Sequence, residues 1–161
     1  MLKIEDKSSG GWRKFIEVCL KSVFSVIPEE DLEGIEKVII LDECADKEYC
    51  WVGGFYNATH DNEPASIELY PPRILSAQPF FLPKIKFFNK YSIIKMFLHE
   101  LGHHKYGIKD IDTREINAEK YMMASLTKLY GKWIYFFDFL AGIDQICKKT
   151  NNKTCYPNNN K

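Results

Sequence analysis

The chain has 161 residues, 45% of them hydrophobic, which suits one domain of ordinary size that buries a core without disulfides or a structural metal. Its 22 Lys plus Arg balance 22 Asp plus Glu at formal net charge +0, which argues against nucleic acid or an anionic membrane surface as an electrostatic partner. The start, MLKIEDKSSGGW, lacks the apolar stretch and small-residue cleavage site of a secretory signal, and the five cysteines are odd in number with no CxxC pair, so a reducing, cytoplasmic setting is expected. Cys19, Cys44, Cys50, Cys147 and Cys155 then read as free thiols, and the sequons at Asn57 and Asn152 as idle.

After a polar, glycine-bearing start, Trp12, Phe15, Ile16, Cys19, Leu20 and Phe24 recur at helical spacing, predicting an amphipathic helix over 12–26 that Pro28 ends. Three strands follow: a β-branched run at 38–41, an aromatic, glycine-bearing run at 49–56, and 65–70, where Ile67 and Leu69 alternate with Ser66 and Glu68. The polar stretch 57–64 reads as a long hairpin loop, and Pro71-Pro72 closes the last strand. Residues 73–88, broken by Pro79 and Pro83, read as an irregular connection with at most one helical turn. Ile94, Phe97, Leu98 and Leu101 predict a helix over 91–106 with Gly107 as its C-terminal cap. A second helix, capped by Asp112 or Thr113, runs through Ala118, Tyr121, Met122 and Leu126 to about Tyr130, and the short link predicts an antiparallel pair. The apolar run 133–140 contains Asp138 and is far shorter than the roughly 20 residues that span a bilayer, so it is a core helix and not a transmembrane segment. The expected architecture is α+β, a small and partly antiparallel sheet on two antiparallel helices, as one domain over 1–149 with a disordered tail at 150–161.

The most informative motif is HELGHH at 99–104. His99 and His103 are four residues apart, so on a helix both imidazoles stand on one face and can reach one ion. They fall about 160° from the apolar stripe, facing away from the core. Glu100 sits beside the first of them, where its carboxylate can take a proton from a water activated by the ion. His104 points elsewhere on the wheel and is not counted as a ligand.

A catalytic zinc keeps three protein ligands and one open position, so a third must come from outside the motif helix. Glu115 and Glu119 share a face of the next helix, and either could ligate while the other supports a histidine ring; spacing alone leaves both open. Alternatively, Glu115 closes a capping box with Asp112, and Glu119 is a solvated charge. HELGHH together with TREINAEKY at 113–121 resembles the gluzincin metallopeptidases, in which HExxH is followed by a helix bearing ExxA and an acidic residue. The resemblance, weaker upstream, is to single-domain minigluzincins and ImmA/IrrE-type peptidases, and implies a zincin-like fold. It makes Glu115 the third ligand of one catalytic Zn2+ and places Glu119 behind the ligands, although aspartate is commoner there. It also implies a strand at the sheet edge that holds an extended peptide above the metal, here Ser66, Ile67, Glu68, Leu69 and Tyr70. The family's downstream oxyanion-stabilising His or Tyr has no histidine counterpart after His104, which leaves Tyr121, Tyr130 and Tyr135 as candidates.

Other HExxH classes fit worse. Metzincins require glycine and histidine where this chain has Tyr106 and Lys109, and neither Cys44 nor Cys50 has the Gly-Cys-Leu setting of peptide deformylases. The resemblance implies peptide-bond hydrolysis of a peptide or protein substrate, with zinc polarising the carbonyl and Glu100 shuttling the proton to the leaving amine. Its rivals are a zinc-binding regulatory or interaction protein on an inactive or weakly active scaffold and a metal-free helical interaction module.

Overall fold

The computed structural model describes residues 2–44, 53–59, 64–76, 85–107 and 111–137. The elements run β1 (Lys3–Asp6), α1 (Arg13–Phe24), a 3-10 turn (Glu29–Leu32), β2 (Ile35–Ile40), β3 (Gly54–Asn57), β4 (Ala65–Leu69), α2 (Pro71–Ser76), α3 (Lys86–Tyr106) and α4 (Ile111–Tyr130). This is the expected α+β class, with a small mixed sheet and several helices. The strand order is β1-β2-β4-β3, with β1, β2 and β4 mutually parallel and β3 antiparallel to β4.

One face of the sheet carries the core. Val38 opposes Ile67 and Ile40 opposes Leu69, all four fully buried, because alternate residues of a strand project to the same face. Ile16, Cys19, Leu20 and Val23 of α1 and Ile94, Phe97, Leu98 and Leu101 of α3 complete the cluster. The Asp6 carboxylate receives the Arg13 and Ser8 backbone N–H groups, at 2.8 and 3.0 Å, and so ties the end of β1 to the start of α1.

Several elements differ from the sequence reading, each for a local reason. β1 was hidden in a polar start, because a four-residue edge strand buries too little to show a pattern. Pro71 and Pro72 end β4 as expected but also open α2, since proline fits the first helical turn, where its missing N–H has no partner to lose. α3 begins at Lys86, one turn and more before the predicted start, and Phe87 and Phe88 pack on Phe137 at 4.8 and 5.8 Å. Residues 133–137 are helical, but only Ile134 and Phe137 are buried; Trp133, Tyr135 and Phe136 are exposed, so this stretch is amphipathic instead of a wholly buried core helix. No helix among the described residues is long and apolar enough to cross a membrane. The first part of the predicted 49–56 strand, the tip of the hairpin loop, most of the connection before α3, the expected tail, and Cys50, Cys147 and Cys155 lie outside the described residues.

The expected substrate edge is corrected by the topology. Ser66, Ile67, Glu68 and Leu69 belong to β4, which is paired on both sides, by β2 and by β3, and Tyr70 follows directly with its N–H on the Gly53 carbonyl. A strand with both ladders occupied has no backbone groups left for a peptide. The edge beside the motif helix is β3. Phe55 and Asn57 turn their backbone groups toward β4, so Gly54 and Tyr56 turn theirs to the other edge, which no strand among the described residues pairs.

Candidate metal centre

The motif helix and its partner meet at a contact between small residues. A Cβ on Gly102 would stand 2.6 Å from the Ala118 Cα and 2.9 Å from its carbonyl oxygen, so only glycine lets α4 come this close. Tyr130, at the far end of α4, packs on Tyr91 and Phe87 near the start of α3, which makes the two helices antiparallel, as predicted. Ala118 lies one turn after Glu115, and Gly102 lies beside His103 and one turn after His99. The Gly102–Ala118 approach therefore sets how near Glu115 comes to the two imidazoles.

That distance is short. His99 Nε2 and His103 Nε2 are 3.2 Å apart; Glu115 Oε2 lies 3.3 Å from His99 Nε2, and Glu115 Oε1 lies 3.5 Å from His103 Nε2. Tetrahedral zinc with bonds of 2.0–2.1 Å has donor-to-donor edges of about 3.3 Å, so the three side chains hold their donors at the spacing such an ion requires. The two nitrogens and the carboxylate are the only group of three His, Cys, Asp or Glu side chains among the described residues with this convergence. Burial and the adjacent His99 push the His103 pKa down, which keeps its imidazole neutral, as a ligand must be. His103 is buried and Glu115 is 59% exposed, so the group opens to solvent on the α4 side.

The histidines do lie opposite the apolar stripe of α3, but that face is not free surface. Met96 and Glu100 sit under β3, where a Cβ on Gly54 would come within 2.8 Å of Met96 Cγ and 3.2 Å of Glu100 Cγ. Glu100 is thereby 6% exposed, and burial raises its carboxyl to about 7; the Tyr56 backbone N–H on the carboxylate and the Arg114 charge pull it down, and the Glu115 charge pushes it up. A carboxyl in that range can accept and return a proton near neutrality.

No family model, curated protein or solved structure matches this chain. The chemistry of the site rests on its own residues. Of the two glutamates left open by spacing, the structure brings Glu115 to the histidines and not Glu119. Glu119 is exposed, and the buried His103 Nδ1 has no hydrogen-bond partner among the described residues, so Glu119 does not support the His103 ring. His104 lies outside the donor group, in agreement with the sequence reading.

Two of the tyrosine candidates, Tyr121 and Tyr130, are held away from the donor group. The Tyr121 hydroxyl donates to Asp31 at 2.7 Å, and Lys105 lies over its ring, which commits it to the 3-10 turn. Tyr130 is held among Tyr91, Phe87 and Phe137, and Tyr91 is eight residues, about 12 Å of helix, before His99. Tyr135 lies beyond the end of α4 and is 68% exposed. Sequence reasoning missed Tyr56, whose amide serves Glu100, and Arg114, which lies 3.3 Å from Glu115. The Gly53-Gly54 pair was the available signal for Tyr56, because glycine inside a strand marks a close backbone approach.

Proposed function

We propose that the chain is a zinc-dependent metallopeptidase of the gluzincin type. One observation carries the reading: His99, His103 and Glu115 converge at ligand spacing beside a buried glutamate, Glu100. Zinc bound there would polarise a peptide carbonyl and bring the pKa of water toward about 7. Glu100 takes the proton of the attacking water and passes it to the leaving amine. The edge of β3 away from β4, unpaired among the described residues, lies above Glu100 and offers the amide and carbonyl groups of Gly54 to an extended peptide, which would add as a further strand. Glu115 is held in register by the Gly102–Ala118 contact and by Arg114.

A second reading, a zinc-binding interaction protein that does not cleave, is favoured by one observation. The Tyr121 hydroxyl is bonded to Asp31 and Tyr130 packs near the start of α3, which leaves neither of them placed to stabilise an oxyanion. Cleavage of a peptide library by the wild-type chain, lost in Glu100→Gln with zinc content unchanged, supports the peptidase. Stoichiometric zinc with no cleavage by either supports the interaction protein, and purified protein without stoichiometric zinc overturns both.

A further inference from the structure

The last histidine of HELGHH has both ring nitrogens occupied away from the metal-ligating group. His104 Nε2 lies 2.8 Å from the Glu33 carbonyl, which can only accept, so Nε2 carries the ring proton and Nδ1 accepts from the Tyr56 hydroxyl at 2.9 Å. The Tyr56 ring meets the imidazole edge-on, with centroids 5.3 Å apart. Gly34, at φ +89°, makes the corner that delivers the Glu33 carbonyl, with its Cβ position 3.6 Å from His104 Cε1. Tyr56 stands on β3, and its backbone N–H serves the Glu100 carboxylate. A continuous series of contacts thus runs from the turn before β2, through His104 and the Tyr56 hydroxyl, to the Tyr56 amide and Glu100.

We propose that His104 is a positioning residue: through Tyr56 it fixes the β3 edge over the motif helix and aims the Tyr56 amide at Glu100. Only the kinetic consequence rests on the peptidase reading; the clamp itself does not. Tyr56 is an edge-strand residue whose amide faces away from β4; the ladder pins its neighbours Phe55 and Asn57, but gives the Tyr56 amide itself no bond. The Tyr56 hydroxyl and the Glu33 carbonyl are the two points that His104 bridges, 48 and 71 residues away from it in sequence.

The test compares the full-length wild type with Tyr56→Phe, His104→Ala and His104→Asn, the last retaining an acceptor near the Nδ1 position. Zinc per chain, amide exchange of residues 54–57 by mass spectrometry, and kcat and KM on a peptide that the wild type cleaves are measured. Tyr56→Phe removes one hydroxyl and guards against a misfolded His104→Ala. The expected result is exchange about two- to tenfold faster at 54–57, with the rest of the sheet unchanged, zinc retained, kcat lowered with KM within about twofold, and partial recovery in His104→Asn, the range being one net hydrogen bond. Unchanged local exchange and kcat in both Tyr56→Phe and His104→Ala overturns the proposal, as does acceleration spread evenly over the sheet. If the wild type cleaves no peptide, the peptidase reading fails, and exchange at 54–57 alone decides the clamp.

Discussion

Gly102→Ala is the sharpest probe of how the two helices set the donor spacing. The added methyl would lie 2.6 Å from the Ala118 Cα, about 1 Å inside the 3.5–4.0 Å at which carbon atoms rest, and the obstacle is backbone that no rotamer change can move. Overpacking of this kind costs about 1–3 kcal/mol, against about 1 kcal/mol gained by alanine over glycine in a helix. The net loss, on the order of 1 kcal/mol, lowers the melting temperature of the metal-free protein by a few degrees at this chain length. Metal affinity suffers more. Relief of the clash shifts α4 and carries Glu115 with it by several tenths of an ångström, whereas ligand distances are held within about 0.2 Å. A fall in zinc affinity of about tenfold or more is expected, read by competition against a chromophoric chelator. Wild-type zinc affinity together with a raised melting temperature would refute the reasoning, since it would mean that the helices have slack at Gly102.

Glu115→Gln should lower zinc affinity by at least about tenfold while Glu119→Gln leaves it within twofold, because only Glu115 reaches both imidazoles; the same competition assay decides. Asp31 is buried, and although burial raises its pKa, the hydrogen bonds from Lys105 at 2.5 Å and Tyr121 at 2.7 Å bring it below the usual carboxylate value. Its contribution to stability is therefore complete above the unfolded-state pKa and is lost as pH falls through the lower folded value. Asp31→Asn should flatten the acid limb of stability against pH, measured by denaturant unfolding between pH 7 and 3. Asp31→Ala should cost about 2 kcal/mol at pH 7, less than a fully dry pair because Lys105 is partly solvated. Burial pushes the Cys19 thiol up to about 11, so native protein treated with iodoacetamide at neutral pH should stay unmodified at Cys19 when its peptides are mapped by mass spectrometry, while the half-buried Cys44 reacts faster than Cys19.

The helices were legible in the sequence where amphipathic spacing and caps agree. Gly107, at φ +69° with its N–H on the His103 carbonyl, ends α3 where expected. The ligand pair was legible because a four-residue spacing maps directly onto one helix face. Strand order was not legible: it depends on which backbone ladders pair, and the hydrophobic alternation of 65–70 is the same in an edge strand as in a central one. Alternation alone therefore leaves β4 open as the substrate edge, whereas the strand order puts β3 at that edge. Nor could spacing assign Tyr121. Its hydroxyl is claimed by Asp31, 90 residues earlier, and such a partner leaves no local trace. His104 is legible in the sequence only as lying off the ligand face; its partners are 48 and 71 residues away and leave no local trace either.

Nearly every side chain of the motif helix from Met96 to Lys105 meets a different part of the fold. Phe97, Leu98 and Leu101 enter the core, Met96 and Glu100 lie under β3, His99 and His103 face Glu115, Gly102 admits Ala118, His104 reaches Tyr56 and Glu33, and Lys105 reaches Asp31. A helix so enclosed cannot rotate or slide to accommodate a change on one face without disturbing the others, because packed interiors transmit displacement. The donor geometry is therefore held from three directions: α4 through Gly102, the edge strand through His104, and the 3-10 turn through Lys105. Glu115 is the exception, more than half exposed and held chiefly by its helix and Arg114. Among the three side chains that could hold an ion it is the one with room to move, so any adjustment on metal binding would fall on the α4 side of the centre.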